Sequence, residues 1–469
     1  MIIKYNLESK VSLNFENSIN SKFISHIFNL ELRYLKNKRI GEIIRRINDM
    51  SYIKNWFLSI FITLHIDLLL FIVSLIIMFL LSFKMTIIVV ISIILNLIIM
   101  FITINKIYRK ENIIVDLYNR YNGDLNEYLE GIESIKNLNK ENIFLSTLNN
   151  DYYNYTKSTY DLGLINSKIA NIGDFISTLT FITFITYALT NPLIFTLVDL
   201  VLFNTLYQIL ANSLKNLISL IPIFIHVKTV YRDISEFLDV KEENGGKELS
   251  GDVKCIDIKN LSYSYDYLHN SIENINLTIN KNDKILLKGE SGVGKSTLAK
   301  VIAGIYSDYS GSILLNDVEL KNINKSFLRD RILYVGQNER LFKGTIKDNI
   351  TLGVQDDGYL ETVINMTLVK DILNKRADNI NSLILENGSN LSGGEKARII
   401  LARALFKKPD IIIIDETLSG TSELQENIII ENMLASQITL LYITHRNKGD
   451  YFDRIIDLKK GSKNEIIRK

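Results

Sequence analysis

The chain has 469 residues, and its apolar and charged residues are distributed unevenly along it. Long uncharged runs occur before residue 230, whereas apolar and charged residues interleave after residue 250, as they do in soluble domains. The formal net charge of +2 gives no sign of a basic surface for nucleic acid, so no nucleic-acid partner is expected. The single cysteine, Cys255, excludes an intrachain disulfide and a zinc cluster built from several thiolates. The length predicts about two or three domains.

Four nearly uncharged stretches are predicted to cross the membrane as helices. They span residues 56–82, 85–105, 174–190 and 193–215. A crossing needs about 20 apolar residues, and the first two stretches meet that length easily. Tight outer turns are expected around Phe83-Lys84 and Asn191-Pro192, which would join the helices into two hairpins. The alternative is a set of buried helices in a soluble protein, although soluble helices average only about 11–12 residues.

The distribution of lysine and arginine predicts the orientation of these helices. Basic residues are frequent before residue 56 and directly after residue 105, and they are sparse in the outer turns. Positive residues favour the cytoplasmic side, so the N-terminus, the segment 106–173 and the C-terminal half are placed in the cytoplasm. Residues 1–20 lack the apolar core of a cleavable signal peptide. These features predict a multi-pass protein of the cytoplasmic membrane that contacts lipid.

Three ionisable residues lie inside the apolar stretches and away from their ends, namely His65, Asp67 and Asp199. An ionisable residue at membrane depth is a candidate for a functional role, here contact with a transported substrate. The alternative is a position near the membrane interface or beside a wet cavity, and the sequence leaves both interpretations open.

A phosphate-binding loop follows a short apolar stretch, residues 284–288, that is predicted to be a strand. The loop consists of Gly289, Glu290, Ser291, Gly292, Val293, Gly294, Lys295, Ser296 and Thr297, which fits the pattern G-x-x-x-x-G-K-[ST]. The glycines let the backbone curl so that successive N–H groups point at phosphate oxygens, and a helix over 296–306 adds its positive end. Lys295 is predicted to reach the β and γ phosphates of ATP, and Ser296 to hold Mg²⁺.

A second apolar strand, residues 411–414, ends in two carboxylates, Asp415 and Glu416. A strand that is buried on both faces has this uninterrupted apolar sequence. Asp415 is predicted to hold Mg²⁺, and Glu416 to orient and deprotonate the attacking water. The alternative is a solvated strand end, which the phosphate loop makes the weaker interpretation.

One further motif gives the chain a family resemblance. Leu391-Ser392-Gly393-Gly394-Glu395, between the two nucleotide motifs, resembles the signature sequence of the ATP-binding cassette (ABC) family. The resemblance implies that Tyr265 stacks on adenine and that Gln337 contacts the metal and senses the γ-phosphate. It implies that His445 contacts the γ-phosphate, and that Glu386 belongs to a loop that touches the coupling helices of exporters.

In this family the signature completes the ATP site of a second cassette. The resemblance implies that Ser392 and the N–H groups of Gly393 and Gly394 bind the γ-phosphate of ATP held by a partner. The chain is therefore expected to pair with a second half transporter, either identical or different. One position departs from the family pattern, because Ser422 stands where an aspartate usually bridges the two sites.

The first half resembles the transmembrane domain of ABC exporters. Gly41–Asp49 resembles the region of the first coupling helix, and Glu130–Lys136 resembles the start of the second, in a form associated with bacteriocin and peptide exporters. By this resemblance the first helix of the family domain, most of the second and the cysteine protease of peptide exporters are absent. Either another chain supplies these parts, a leader peptidase included, or the chain is a truncated relic.

The predicted architecture is an α-helical transmembrane domain of about four helices, incomplete for an exporter, followed by an α/β ABC nucleotide-binding domain with a phosphate loop. Residues 1–55 are a cytosolic helical segment with the first coupling region, and 56–225 are the transmembrane domain with its cytosolic loop 106–173. Residues 226–250 are a linker that becomes polar and glycine-containing, and 251–469 are the nucleotide-binding domain.

The favoured hypothesis is one half of an exporter that hydrolyses ATP with Mg²⁺ and moves a peptide outward. Lipids and drugs are alternative cargo, because the same architecture carries them. An alternative function is a truncated or non-transporting subunit that binds ATP and needs a partner chain, which the helix count and Ser422 favour. A third hypothesis, a soluble cassette ATPase in translation or DNA repair, fits poorly with the apolar runs.

Overall fold

The chain was analysed as a computed structural model that describes residues 2–36, 38, 40–60, 64–190, 196–243, 245–265, 270–337, 339–459 and 465–468. It divides into two compact units, Met1–Glu242 and Glu243–Lys469. The division falls within the segment that the sequence marks as a linker, residues 226–250. The predicted outer turn at Asn191-Pro192 lies outside the described residues.

The first unit is built from helices. They are α1 (Ile2–Asn29), α2 (Leu32–Lys36), α3 (Ile40–Ser59), α4 (His65–Leu81), α5 (Phe83–Glu130), α6 (Ile132–Asn137), α7 (Glu141–Thr190) and α8 (Leu197–Leu238). The predicted count of about four helices is therefore not confirmed. A search for uncharged runs finds only the apolar parts of helices, and it misses those that polar sequence continues or forms alone.

The segment 106–173 illustrates this difference, because it is not a loop. It contains the second half of α5, the short α6 and the first part of α7. At about 1.5 Å per residue, the 48 residues of α5 extend about 72 Å, more than twice the about 30 Å of a hydrocarbon core. The polar halves of α5 and α7 therefore continue as helices outside the apolar region. The first half of the predicted linker is also helical, since α8 continues to Leu238.

Two helices of the described residues, α5 and α7, are long and apolar enough to cross a membrane, and the shorter α4 is apolar as well. The most apolar windows of α5 and α7 have mean hydropathies of 3.1 and 1.5, respectively. Their apolar parts pack with α4 and α8 around a small core that contains Met78, Val89, Phe184 and Tyr207. Phe184 contacts the ring of Phe203 edge-on, with the ring centroids 5.0 Å apart.

The structure describes the surroundings of the three ionisable residues that lie inside the apolar stretches. Asp67 is buried, and its Oδ1 accepts a hydrogen bond of 3.1 Å from the side-chain amide of Asn216. Asp199 is part of a capping box at the start of α8, where its Oδ2 accepts from the backbone N–H of Thr196 at 2.9 Å. His65 is exposed at the first position of α4. Asp67 and Asp199 thus have structural roles that use their carboxylates.

The second unit contains strands and shorter helices. They are β1 (Cys255–Ser264), β2 (Asn270–Asn280), β3 (Lys284–Gly289), α9 (Lys295–Ile302), β4 (Ser310–Leu315), β5 (Val318–Glu319), α10 (Lys325–Arg331), β6 (Ile332–Val335), β7 (Gly344–Thr345), α11 (Ile346–Thr351), α12 (Leu360–Met366), α13 (Lys370–Leu373), β8 (Leu383–Ile384), α14 (Gly393–Phe406), β9 (Ile411–Asp415), α15 (Glu423–Leu434), β10 (Thr439–Ile443), β11 (Arg454–Leu458) and β12 (Glu465–Arg468).

The central sheet has the strand order β12-β11-β3-β10-β9-β6, and all its pairings are parallel except that of β12. Every residue of β9 and β10 is buried, as expected for strands covered on both faces. Alternate side chains contribute to different cores: Ile411 and Ile413 pack on one face, and Ile412 and Ile414 on the other. This arrangement fixes the carboxyl ends of β3, β9 and β10 at one edge of the sheet, where ligands bind in open α/β sheets.

A second sheet, with the order β2-β1-β4-β5, is antiparallel and shares the first of these cores. Cys255 begins β1 and is half-buried, and burial raises the pKa of its thiol. Tyr263, on the same strand, is buried against the ring of Tyr306. This sheet places the end of β1 beside the loop that follows β3.

Candidate nucleotide-binding site

The loop between β3 and α9 has the backbone conformation that only glycine adopts without strain. Gly294 caps α9 with a φ of 105°. A Cβ atom on Gly294 would lie 2.4 Å from Cγ2 of Ile272 and 2.5 Å from the carbonyl oxygen of Ser271. The loop is therefore packed closely against β2 at Gly294.

Lys295 is buried at the first position of α9. Its Nζ donates hydrogen bonds to the carbonyl oxygens of Gly289 at 2.8 Å and Glu290 at 2.9 Å. These bonds hold the ammonium group across the loop, next to the positive end of the helix. Both the cation and the helix end favour an anion such as a phosphate at this place.

Tyr265 lies over the start of α9 at the end of β1. Its hydroxyl is 3.1 Å from Oγ1 of Thr297, and its ring contacts Tyr263 and Tyr306 edge-on. Burial of the hydroxyl raises the pKa of Tyr265, so the phenol stays neutral. Nearly half of the residue, 49%, is still exposed, so Tyr265 remains accessible to a ligand.

Asp415 and Glu416 lie at the carboxyl end of β9 in different environments. Asp415 is buried, and its Oδ2 accepts a hydrogen bond of 2.7 Å from the hydroxyl of Tyr334 on the neighbouring strand β6. Burial and the carboxylate raise the pKa of Tyr334 well above its usual range, so the phenol remains a donor. Asp415 is therefore held in one orientation at the end of the strand.

Glu416 has a left-handed backbone, with a φ of 54°, that turns its side chain out of the sheet. Its N–H donates to the carbonyl oxygen of Ile443 at 3.0 Å, which ties this turn to the end of β10. Oε1 of Glu416 lies 2.7 Å from Nε2 of His445. A non-glycine residue in this conformation is strained, and such strain is frequent at functional sites.

These residues meet in one cavity of about 550 Å³. It is lined by Tyr265, by residues 291–297 of the phosphate loop, and by Glu416 and His445. Asp415 and Gln337 are not among the lining residues, although the pairing of β6 with β9 brings both to the same sheet edge. Gln337 is exposed just beyond the end of β6.

The predicted signature residues form the start of α14, away from the lining of this cavity. Leu391 is buried, and Ser392 caps the helix by accepting from the N–H of Glu395 at 3.2 Å. Oε2 of Glu395 in turn accepts from the N–H of Ser392 at 3.0 Å. A Cβ atom on Gly394 would lie 2.8 Å from the carbonyl oxygen of Gly420, so α14 begins in close contact with the loop after Glu416.

Arg446, directly after His445, belongs to a network that sequence reasoning missed. Its guanidinium donates to the carbonyl oxygens of Ser419 at 2.9 Å and Thr421 at 3.3 Å, and to Oε2 of Glu426 at 2.5 Å. Glu426 is buried on α15, where its other oxygen accepts from the hydroxyl of Tyr442 at 2.6 Å. The network therefore fixes the loop 417–422 to the loop that carries His445.

The sequence indicates the roles of Tyr334 and Arg446 only in part. Tyr334 precedes Gln337 closely, and Arg446 adjoins His445, but their partners are distant along the chain. Ser422, which stands at the departure from the family pattern, caps α15 by accepting from the N–H of Gln425 at 3.4 Å. The predicted site residue Glu386 lies in a short 3₁₀ helix, Glu386–Gly388, before the signature.

The residues present fit a nucleotide with a divalent cation. A Cβ atom on Gly292 would meet no atom within 4 Å, so the loop has open space at this residue for phosphate oxygens beside the start of α9. The hydroxyl of Ser296 and the carboxylate of Asp415 are the oxygen donors that Mg²⁺ prefers. Lys295 supplies a positive charge for the phosphates beside them.

Both halves of the chain match family models. Residues 272–419 match the model described as ABC transporter, and residues 2–214 match the model described as ABC transporter transmembrane region. The solved structure of a bacterial Atm1-family ABC exporter with ATP bound has a TM-score of 0.87 to this chain at 20% sequence identity. That match covers 98% of this chain and 83% of the other, and it shows the fold.

Curated relatives cover nearly the whole of this chain. The sublancin-168-processing and transport ATP-binding protein SunT of Bacillus subtilis (strain 168) is 27% identical, over 94% of this chain and 64% of the relative. The lactococcin-A transport/processing ATP-binding protein LcnC of Lactococcus lactis subsp. lactis is 29% identical, over 94% of this chain and 62% of the relative. The chain thus spans less than two thirds of the length of these relatives.

Proposed function

Because this chain belongs to the ABC transporters, with a transmembrane domain and an ATP-binding domain, we propose that it is one half of an exporter that moves a peptide. The chain is an integral membrane protein with a cytoplasmic ATP-binding domain. In the proposed function it spans the cytoplasmic membrane several times, hydrolyses ATP and pairs with a second half transporter. The observation that carries the proposal is the 2.7 Å contact between Glu416 and His445 in the same cavity as the phosphate loop.

The proposed reaction assigns each lining residue a task. The N–H groups of residues 291–297 and Nζ of Lys295 bind the β and γ phosphates, and the ring of Tyr265 stacks on adenine. Glu416 orients the attacking water and accepts its proton, while His445 holds Glu416 through its Oε1 and faces the γ-phosphate. Mg²⁺, held by Ser296, Asp415 and Gln337, would neutralise charge that develops on the phosphate oxygens.

A second cassette would complete the reaction site. Ser392 and the N–H groups of Gly393 and Gly394 are exposed or half-exposed at the start of a 14-residue helix, which favours an anion there. We assign this helix start to the γ-phosphate of ATP bound by the partner. Two cassettes would then close over two nucleotides and separate after hydrolysis, and this cycle would drive transport.

Peptide cargo is proposed because the relatives are processing and transport proteins for sublancin and lactococcin. Lipids and drugs are the alternative cargo. A chain that supplies further helices, or a leader peptidase, is proposed as an additional partner. A second candidate function, a subunit that binds ATP without driving transport, is favoured by Ser422 at the position of the bridging aspartate.

The test is the ATPase activity of membranes that contain the full chain. We expect hydrolysis that vanadate inhibits, and a decrease of at least about a hundredfold in the Glu416→Gln variant, because the water loses its base. Glu361→Gln, an exposed change on α12, is the matched control and should retain the full rate. Full-rate hydrolysis by Glu416→Gln would refute the assigned role of this residue, and ATP binding without hydrolysis in the wild type would favour the second candidate.

A further inference from the structure

The first unit contains a cavity of its own, in addition to the nucleotide site of the second unit. It has a volume of about 570 Å³ and lies between α5, α7 and α8. Asn166 and Asp174 line it from α7, and Gln208, Asn212 and Lys215 line it from α8. Residues that are three or four positions apart share one face of a helix, so the last three form a continuous polar stripe.

The floor of this cavity is held by hydrogen bonds. Tyr207 is buried, and its hydroxyl lies 3.2 Å from Oγ of Ser92 on α5 and 3.2 Å from Oγ of Ser177 on α7. One side chain thus connects all three helices that enclose the cavity. Packing between the three helices therefore sets the shape of the cavity around Tyr207.

Two opposite charges face this cavity at one end of the predicted spans 174–190 and 193–215, namely Asp174 and Lys215. Asp174 lies 16 residues before the end of α7 at Thr190, and Lys215 lies 18 residues after the start of α8 at Leu197. At about 1.5 Å per residue these distances are about 24 and 27 Å, so a span of about 30 Å that began at these helix ends would reach both residues near its other side. Neither residue was recognised as a candidate from the sequence, because each stands at the edge of an apolar stretch.

In the part of the chain that the structure describes, the charges of Asp174 and Lys215 have no partner. Among the described residues, neither side chain takes part in a hydrogen bond or an ion pair, and the same holds for the side-chain amides of Asn166, Gln208 and Asn212. Asp67 provides the contrast, since its carboxylate is buried against Asn216 on another face of α8. Charged residues at membrane depth usually face a partner or a substrate path.

We propose that this cavity binds a segment of a peptide cargo that carries both charges. Asp174 would pair with a cationic group, such as a lysine, an arginine or an amino terminus, and Lys215 would pair with a carboxylate. The free amides of Asn166, Gln208 and Asn212 would bond to the peptide backbone. A lipid chain or an apolar drug would leave both charges unpaired, which is costly. The inference rests on the proposed function and specifies the kind of cargo.

The test measures the binding of peptides to the purified full chain in detergent, without nucleotide. Three blocked peptides of equal length carry a neutral fluorophore and differ at one position, which is lysine, glutamate or glutamine. We expect the lysine and glutamate peptides to bind the wild type more tightly than the glutamine peptide. Asp174→Asn should lower the affinity for the lysine peptide about tenfold and leave that for the glutamate peptide unchanged. Lys215→Gln should lower the affinity for the glutamate peptide about tenfold and leave that for the lysine peptide unchanged.

Matched controls come from the same region. Asp161→Asn removes an acid of α7 that pairs with Lys110, and Lys168→Gln removes an exposed base of α7. Neither residue lines the cavity, so neither change should alter the three affinities. The charge reversal Asp174→Lys should weaken binding of the lysine peptide below that of the glutamine peptide and leave the glutamate peptide bound most tightly, provided that the variant elutes as the wild type does in size-exclusion chromatography.

Equal affinities for the three peptides, or no binding of any of them, would overturn the inference. The inference would also be overturned if a neutral diacylglycerol displaced the peptides with the same affinity from the wild type, from Asp174→Asn and from Lys215→Gln. Failure of the proposed function would give a different result. A chain that shows the charge preference but hydrolyses no ATP would support the peptide site and contradict ATP-driven export. ATP hydrolysis without any charge preference would be consistent with the proposed function and would contradict the peptide site.

Discussion

The hydroxyl of Tyr334 donates a hydrogen bond of 2.7 Å to Oδ2 of Asp415, across the neighbouring strands β6 and β9. Asp415 is the carboxylate proposed to hold Mg²⁺, so Tyr334 is a positioning residue for the metal. A partner of this kind fixes the orientation of a ligand and often changes metal affinity by about 10–100-fold.

We therefore expect Tyr334→Phe to raise the Mg²⁺ concentration for half-maximal ATPase activity by about tenfold. The phenylalanine keeps the ring against its neighbours and removes only the donor, so the fold should persist. Tyr359→Phe, which removes a hydroxyl far from the sheet edge, is the control. An unchanged Mg²⁺ dependence with a reduced maximal rate would contradict a role through the metal.

Gly294 permits a second prediction, because both its φ of 105° and the contact with Ile272 exclude a side chain. Gly294→Ala should lower ATP affinity at least about tenfold, since strain of about 1–3 kcal/mol must be relieved by moving the loop. Gly292→Ala is the matched control: its φ of 79° is also positive, but its Cβ would meet no atom within 4 Å. Binding of a fluorescent ATP analogue measures both variants, and equal losses would show that the close contact is unimportant.

The sequence was informative about the site wherever a motif is local. The glycine loop, the apolar strand before Asp415 and the signature all specify short stretches whose conformation depends on adjacent residues. The contact between Tyr334 and Asp415 could not be predicted in this way, because it requires that β6 pairs with β9 in one register. A shift of one residue would turn Tyr334 to the other face of the sheet.

The membrane half shows the same limit in a different form. Apolar runs located the cores of α4, α5 and α7, but polar sequence concealed how far α5 and α7 continue. Composition also directed attention to Asp67 and Asp199, whose carboxylates have local partners. Asp174 and Lys215 were missed because each stands at the edge of an apolar stretch, and only the packing of the helices shows that both residues line a cavity.

Arg446 provides a third prediction, for the connection between the two loops beside the site. Arg446→Gln should lower the ATPase rate about tenfold while ATP affinity stays near that of the wild type, since the loops 417–422 and 444–446 lose their shared donor. It should also destabilise the fold by about 1–3 kcal/mol, because the buried Glu426 loses its closest cation. Arg329→Gln, which removes an exposed arginine that pairs with the largely buried Glu243, is the control. An unaltered rate would show that the network serves stability alone.

Lys284, at the start of β3, gives a prediction for pH. Its Nζ donates to the carbonyl oxygens of Met433 at 3.1 Å and Ser436 at 2.9 Å, and also to that of Ile438. Burial lowers the pKa of Lys284 to about 8. The folded protein therefore releases this proton at a lower pH than the unfolded chain, whose lysines titrate near about 10.4.

The sign of the effect follows from proton binding. Between these two values the unfolded state binds more protons, so the contribution of Lys284 to the free energy of unfolding rises with pH. Lys284→Met should remove this rise, and it should destabilise the protein near neutral pH because the three carbonyls lose their donor. Thermal unfolding of the purified chain, followed by circular dichroism at about pH 7 and pH 9.5, measures the difference between wild type and variant. If the stability of the wild type relative to the variant stays constant or falls over this pH range, burial does not disfavour the ammonium form of Lys284 in the folded protein.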